Sequence, residues 1–256
     1  MTQIEDTPAA INAAGRTIYV LEDDPRGQAL IDAGGNLNAG SLAMWDELLQ
    51  AGSWDLVVDI GANYGEMLLG VDLPPRAHVV AFEPDPRIRA CLDRSVDGAG
   101  LAVEVRGEAV SAQVGEARFI TDLSWSGTSR LATSPVTGAG EPSVVATTTL
   151  DACFIESNAK AAVIKIDVEG AEDLVLEGGT SFLSRLRDVA LLVEIAHRSP
   201  AELVDWSTHW RMYVFDLRSR EFIRVLPGAV EEVERLLAQH WIYRQDAVLR
   251  PRGRAA

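Results

Sequence analysis

The chain has 256 residues, 47% hydrophobic and 24% charged, which is the make-up of an ordinary globular protein with one sizeable core. Acids outnumber bases by 38 to 23, a formal net charge of −15, which repels nucleic-acid phosphates and anionic lipid, so neither nucleic acid nor membrane is the expected partner. No apolar run reaches membrane-spanning length, the acidic start Met1 to Pro8 lacks a leader's basic-then-apolar pattern, and Cys91 and Cys153 have no paired spacing; the expectation is a cytoplasmic protein with reduced thiols.

Residues 1–52 read as an N-terminal extension packing on a core domain of residues 53–256. In the extension, Thr17 to Leu21 has the pattern of a strand, Glu22 to Pro25 of a turn, and Ala29-Leu30-Ile31 of a return strand, so a hairpin is expected. Ser41 is the expected cap of a helix bearing Leu42, Trp45, Leu48 and Leu49 and closed by Gly52.

From Leu56 onward strands and helices alternate, which argues for a mainly parallel sheet with helices on both faces. Strands are predicted at Leu56 to Asp59, His78 to Glu83, Val103 to Arg106, Ala162 to Asp167, Val189 to Ile195 and Met212 to Leu217. Helices are predicted from Pro86, around Leu174 to Leu176 before Gly178-Gly179, over Phe182 to Arg187, after Pro200, and from Val230 to Gln239. The rhythm breaks at Gly115 to Ile120, the small-polar stretch Ser124 to Ser134 and Val144 to Leu150, which read as an inserted β-hairpin-like segment with a loop at its tip. Glu221 to Leu226 and Ala247 to Leu249 close the chain as an expected antiparallel pair. The basic runs at Arg185 to Arg187 and Arg250 to Arg254 read as a solvated face and a chain end.

The stretch Asp59-Ile60-Gly61-Ala62-Asn63-Tyr64-Gly65 joins a buried strand to a helix through a tight turn, an arrangement expected to present free backbone N–H groups to an open crevice. A dinucleotide fingerprint would place glycines at 61, 63 and 66, but the chain has Asn63 and Glu66, so a diphosphate fits poorly. Asp59, Glu83, Asp167 and Glu194 each close a predicted strand, where open α/β sheets bind ligands. Glu83 lies near the offset, ~20 residues past the turn, at which an acid accepts hydrogen bonds from a ribose. A phosphate-free nucleoside with a positive centre suits that acidic lining, and S-adenosylmethionine has those properties.

Several segments together make the sequence familiar: Val58 to Gly65, Ala81-Phe82-Glu83-Pro84, Ser126-Gly127-Thr128-Ser129-Arg130-Leu131, Thr149-Leu150-Asp151, and Lys165-Ile166-Asp167-Val168-Glu169-Gly170-Ala171-Glu172 followed by Glu177-Gly178-Gly179. The chain resembles the FkbM family of S-adenosylmethionine-dependent O-methyltransferases, of the class I Rossmann-like fold. The resemblance implies a seven-stranded sheet with a reversed last strand. It implies that Asp59, Gly61, Ala62, Asn63 and Gly65 hold the methionine part of the cofactor, Glu83 the ribose, and Glu108 and Ala109 the adenine edge. Asp167 and Glu169 would face the methyl group and acceptor, and the acceptor class would be hydroxyls of small molecules, sugars or polyketide-type natural products.

Methyl transfer to an alcohol needs a base, for which Asp167, Glu169 and His197 are the candidates, with Glu194 and Glu172 as candidate acceptor-binding groups. A divalent metal held by Asp167, Glu169 and Glu194 is a less favoured route. An NAD-linked oxidoreductase and a non-catalytic S-adenosylmethionine-binding module stand as alternatives. The acceptor's identity and the oligomeric state, a homodimer included, are open at this level.

Overall fold

Leu56 to Ile60, Ala161 to Ile166 and Val189 to Glu194 are buried at every position, so each strand must be covered on both faces. The computed structural model describes residues 7–132 and 140–252. Met1 to Asp6, the last two residues of the Ser124 to Ser134 stretch, and the end of the basic tail from Gly253 lie outside the described residues.

In chain order, β1 (Ala9–Ile11) and β2 (Thr17–Tyr19) precede α1 (Pro25–Asp32) and α2 (Ala39–Ala51), and the core begins with β3 (Leu56–Ile60), α3 (Glu66–Leu69), β4 (His78–Phe82), α4 (Pro86–Gly98) and β5 (Val103–Arg106). An insertion follows, comprising β6 (Ala109–Val110), β7 (Gly115–Thr121), β8 (Arg130–Leu131) and β9 (Glu141–Thr148). The core resumes with α5 (Leu150–Cys153), β10 (Ala161–Ile166), α6 (Glu172–Glu177), α7 (Thr180–Arg185) and β11 (Asp188–Glu194). It ends with α8 (Pro200–His209), β12 (Trp210–Asp216), β13 (Glu221–Val225), α9 (Val230–Leu237) and β14 (Ile242–Pro251).

The main sheet has the order β13-β12-β14-β11-β10-β3-β4-β5. The five strands from β5 to β11 are mutually parallel, while β14 runs antiparallel between β11 and β12. This is the mainly parallel sheet with a reversed strand that the resemblance implies. It differs from the expected seven strands by one, because the hairpin after Asp216 folds β13 back onto β12 and extends the edge. The expected pairing of the last two strands does not form: β13 and β14 lie on opposite sides of β12, each antiparallel to it.

Because side chains alternate across a strand, Val57, Val79, Val163 and Leu192 pack on one face with Met44, Trp45 and Leu48 of α2 and Leu92 of α4. Val58, Val80, Ile164 and Leu191 pack on the other with Val175, Phe182, Leu203 and Val233 of the later helices. The extension thus covers part of one face of the sheet. The inserted segment is larger than a hairpin: β7 and β9 pair from Gly115 opposite Thr147 to Thr121 opposite Glu141, with β6 and β8 completing a four-stranded sheet in the order β6-β9-β7-β8.

Two elements of the extension differ from the expectation. Ala29 to Ile31 is helical and not a return strand, because Asp24 caps α1 by accepting from Arg26 N and Pro25 supplies a helix-compatible first residue; the hairpin forms instead between β1 and β2, with Ala9 opposite Tyr19. Ser41 does not cap α2, whose N-cap is Asn38. The Ser41 hydroxyl is buried one turn in, where it bonds the Asp246 carboxylate and lies 2.9 Å from the Tyr243 hydroxyl, a better use of a buried donor than an exposed helix end.

Candidate functional site

The turn after β3 is forced into left-handed backbone at three positions, with φ of +78° at Gly61, +48° at Asn63 and +82° at Gly65. A side chain at Gly61 would put its Cβ 1.9 Å from the carbonyl oxygen of Asp167, so only glycine lets the ends of β3 and β10 meet. The turn's N–H groups are not free as expected. Gly61 and Ala62 donate to the Phe82 carbonyl at 3.0 Å, Gly65 donates to the Ala62 carbonyl, Asn63 to Glu83 Oε2 at 2.9 Å, and Tyr64 to the Asn63 side chain. The left-handed residues fold these five donors inward, and α3 is a single turn, so the amides of Gly61 to Gly65 are not free to cradle a diphosphate.

Glu83, just past the end of β4, is buried and accepts from Asp85 N at 2.8 Å through its other oxygen. Burial pushes its carboxyl up to about 7 against the pull of the Asp85 and Asn63 N–H groups. Each carboxylate oxygen keeps a second lone pair, so two hydroxyl donors can still be received. Glu108 is paired with Arg106 at 2.6 Å and its carboxyl is held down chiefly by that bond; Ala109 is buried beside it in β6.

Across the cleft, Lys165 of β10 is buried with its Nζ 3.0 Å from Asp167 Oδ2 and 3.7 Å from Asp59 Oδ1. Burial disfavours this ammonium, but the Asp167, Asp59 and Asp246 carboxylates outweigh it and hold the lysine above its ordinary range. Asp59 is fully buried, neither of its oxygens has a hydrogen-bond partner among the described residues, and burial pushes it to about 6. Burial does the same for Asp246, also to about 6.

Beyond Asp167 the chain enters a second strained position, Glu169 at φ +54°, with its carboxyl pushed to about 7 by burial and by the Asp167 and Glu172 charges. Glu194, ending β11, is pushed up further still by burial and the same acidic neighbours. Oxygens of Asp167, Glu169 and Glu194 lie within 4.8 Å of one another. Behind them Glu172, wholly buried, accepts from Gly170 N at 2.9 Å, from His197 Nε2 at 3.0 Å and from Arg198 at 3.1 Å, while His197 Nδ1 lies 3.6 Å from Glu194.

These groups surround one cleft of about 370 Å³ beyond the carboxyl ends of the strands. Gly61, Ala62, Asn63, Glu83, Glu108, Ala109, Asp167, Glu169 and Glu194 line it, whereas Asp59, Gly65, Glu172 and His197 stand behind the wall. Among the described residues, seven carboxylates and three basic groups face the cavity. Arg26, Ser41, Arg130, Lys165 and Asp246 also line the cleft, where the sequence had not placed them. Lys165 and Arg130 sat inside stretches already singled out; for Arg26 and Asp246, far from any motif, no local signal existed.

A family model described as the methyltransferase FkbM domain matches residues 59–223. No curated protein matches the chain. Among solved structures, the chain is similar to a SAM-dependent O-methyltransferase from Thermotoga maritima, at 11% identity over 98% of this chain and 79% of that one with a TM-score of 0.44. It is similar to a methyltransferase from Geobacter sulfurreducens at 13% identity, 91% coverage of each chain and a TM-score of 0.44, and to the 16S rRNA methylase ArmA at 7% identity, 88% and 90% coverage and a TM-score of 0.41.

Proposed function

Because the chain belongs to the FkbM methyltransferase family, an S-adenosylmethionine-dependent group of enzymes, we propose that it transfers the methyl group to a hydroxyl of a small molecule, sugar or natural product. The residues present fit the cofactor. Glu83 offers acceptors for two vicinal hydroxyls, the excess of carboxylates favours a cation, and the inward-turned amides after β3 leave no seat for a diphosphate. Gly61, Ala62 and Asn63 would lie along the methionine part, Glu83 at the ribose, Glu108 and Ala109 at the adenine, and Asp167 near the reacting end. Asp59 and Gly65 would act from behind, shaping the turn. When bound, S-adenosylmethionine supplies an electrophilic methyl group on a sulfonium.

The observation that carries the O-methylation reading is Glu169, a carboxyl held at about 7 in the cleft wall. A general base works best when its pKa lies near the working pH. A carboxylate oxygen of Glu169 takes the proton of the acceptor hydroxyl, while Glu194 holds the acceptor beside it. Asp167, fixed by Lys165, orients the acceptor, and His197 is a positioning residue that ties Glu194 to Glu172.

Residues 53–256 form the methyltransferase domain in this reading, with residues 1–52 an extension that adds Arg26 and Ser41 to the cleft wall, and the setting is natural-product or glycan biosynthesis in a reducing cytoplasm. Calorimetry should give S-adenosylmethionine binding and none with NAD. Incubation with S-adenosylmethionine and a panel of hydroxylated sugars and polyketides should give methyl ethers, with turnover undiminished by EDTA. Methylation confined to nitrogen, carbon or RNA would overturn the proposal.

A further inference from the structure

Among the described residues three basic side chains face the cleft, and two of them already have carboxylate partners. Lys165 is paired with Asp167, and Arg26 lies 3.3 Å from Glu66 while donating to Asn63 Oδ1 at 2.9 Å. Arg130 is different: among the described residues it forms no ion pair, although seven carboxylates line the same cavity. Its one side-chain hydrogen bond among the described residues, Nη1 to the Thr128 carbonyl at 3.1 Å, leaves most of its five donors unspent there.

The position of Arg130 is fixed by the inserted sheet. Arg130 lies opposite Ile120 on β7, and its neighbour Leu131 is buried opposite Phe119, so the backbone is anchored and the guanidinium stands at the cavity wall. Trp125, 39% exposed, lines the same wall from the turn that precedes β8. That turn is closed by Gly127, where any Cβ would meet Arg26 Nε at 2.9 Å and Trp125 Nε1 at 3.1 Å. The insertion therefore brings to the cleft both an aromatic side chain and a guanidinium that has no ion-pair partner among the described residues. Arg130 is also the strongest of the charges that oppose the upward push, mainly from burial, on Glu169, so it stands within electrostatic reach of the proposed base.

A guanidinium fork with no carboxylate partner among the described residues matches a carboxylate or phosphate through two parallel hydrogen bonds. The acidic lining, in whatever fraction is ionised, penalises a dianion more than a monoanion, which favours the carboxylate. We infer that Arg130, with Trp125 lining the same cleft, reads a carboxylate on the methyl acceptor, so that the substrates are hydroxylated acids such as uronic acids or aromatic hydroxy acids. This inference rests on the O-methyltransferase reading above.

The test uses full-length protein and acceptors supplied as matched sets: a free acid, its amide or methyl ester, and the corresponding phosphate, with methyl ether formation and S-adenosylmethionine affinity both measured. The free acid should exceed the neutral member in kcat/KM by roughly ten- to a hundredfold. That preference should collapse in Arg130→Leu, return in part in Arg130→Lys, and appear in KM more than in kcat. Calorimetric affinity for S-adenosylmethionine should be unchanged in both variants. A loss of that affinity in Arg130→Leu would show that the arginine serves the cofactor's own carboxylate and would overturn the inference, as would neutral acceptors or phosphates outperforming acids. If no hydroxylated acceptor in any set is methylated, the O-methyltransferase reading itself fails, and the two failures are thereby told apart.

Discussion

Glu169 combines a strained backbone position, a raised carboxyl and a place in the cleft wall, and each can be tested at the single side chain. Glu169→Gln should lower kcat by roughly 10²–10⁴-fold, the span typical of a lost general base, with S-adenosylmethionine affinity preserved. Since the base must be deprotonated, kcat in the wild type should climb with pH through about 7 and then level off. A flat profile, or a Glu169→Gln variant with full turnover, would remove Glu169 from the role. His197→Ala should act more mildly, because it reaches the cleft only through Glu172 and Glu194. Asp167 and Glu194 were legible in the sequence because a carboxylate ending an apolar strand has a known address on an α/β sheet, whereas Glu169, in the loop beyond β10, was marked only by the motif that carries the family resemblance. Arg26 and Asp246 were not: they enter the cleft through α1 and β14, and no periodicity reveals which distant strand a residue will face.

At the level of elements, the site depends on joints between loops that belong to different parts of the chain. Asp24 is one: its carboxylate caps α1, accepts from the Tyr64 hydroxyl at 2.6 Å in the turn after β3, and accepts from Ser126 N at 3.2 Å in the insertion. Asp24→Ala removes a helix cap and strands two buried donors, so denaturant unfolding should show a loss of roughly 2–4 kcal/mol. A loss no larger than that of an ordinary surface cap would show the joint to be idle. Gly61→Ala forces a Cβ against the Asp167 carbonyl at a left-handed φ, and should cost roughly 2 kcal/mol or more while weakening S-adenosylmethionine binding, since the turn must back away from β10. Most core elements were legible from their period and caps. The misread hairpin at Ala29 to Ile31 shows the weakness of short apolar triplets, which fit a strand or a helix face equally; Asp24-Pro25 was the signal that decided it.

Over the whole molecule, the buried carboxyls set the response to pH. In the folded chain Asp59 and Asp246 are pushed up to about 6 and Glu83 and Glu169 to about 7, above their unfolded values, so the folded state holds protons that the unfolded chain has released. The stability this confers is present below the ordinary carboxylate range and fades as pH rises through about 6 to 7. Ligand-free protein should therefore melt higher at about pH 5 than at about pH 8 by scanning calorimetry, and saturating S-adenosylmethionine should narrow the difference. A higher melting point on the alkaline side would contradict this account of the cleft. The net charge of −15 pointed to an acidic surface, but not to this concentration of carboxyls beneath it, which only the folded arrangement produces.

The reversed strand β14 has a consequence for the order in which the molecule is made. It lies between β11 and β12, and it brings Asp246 and Gln245 to the cleft while Asp246 holds Ser41 of α2. Strand β12 leaves the ribosome before β14 yet has no place on the sheet until β14 fills the gap, so the cavity can close only after some 250 residues have been synthesised. Contacts of such long sequence separation form slowly. Cofactor binding should be the last property a refolding chain recovers, after the secondary structure of the parallel strands is already in place.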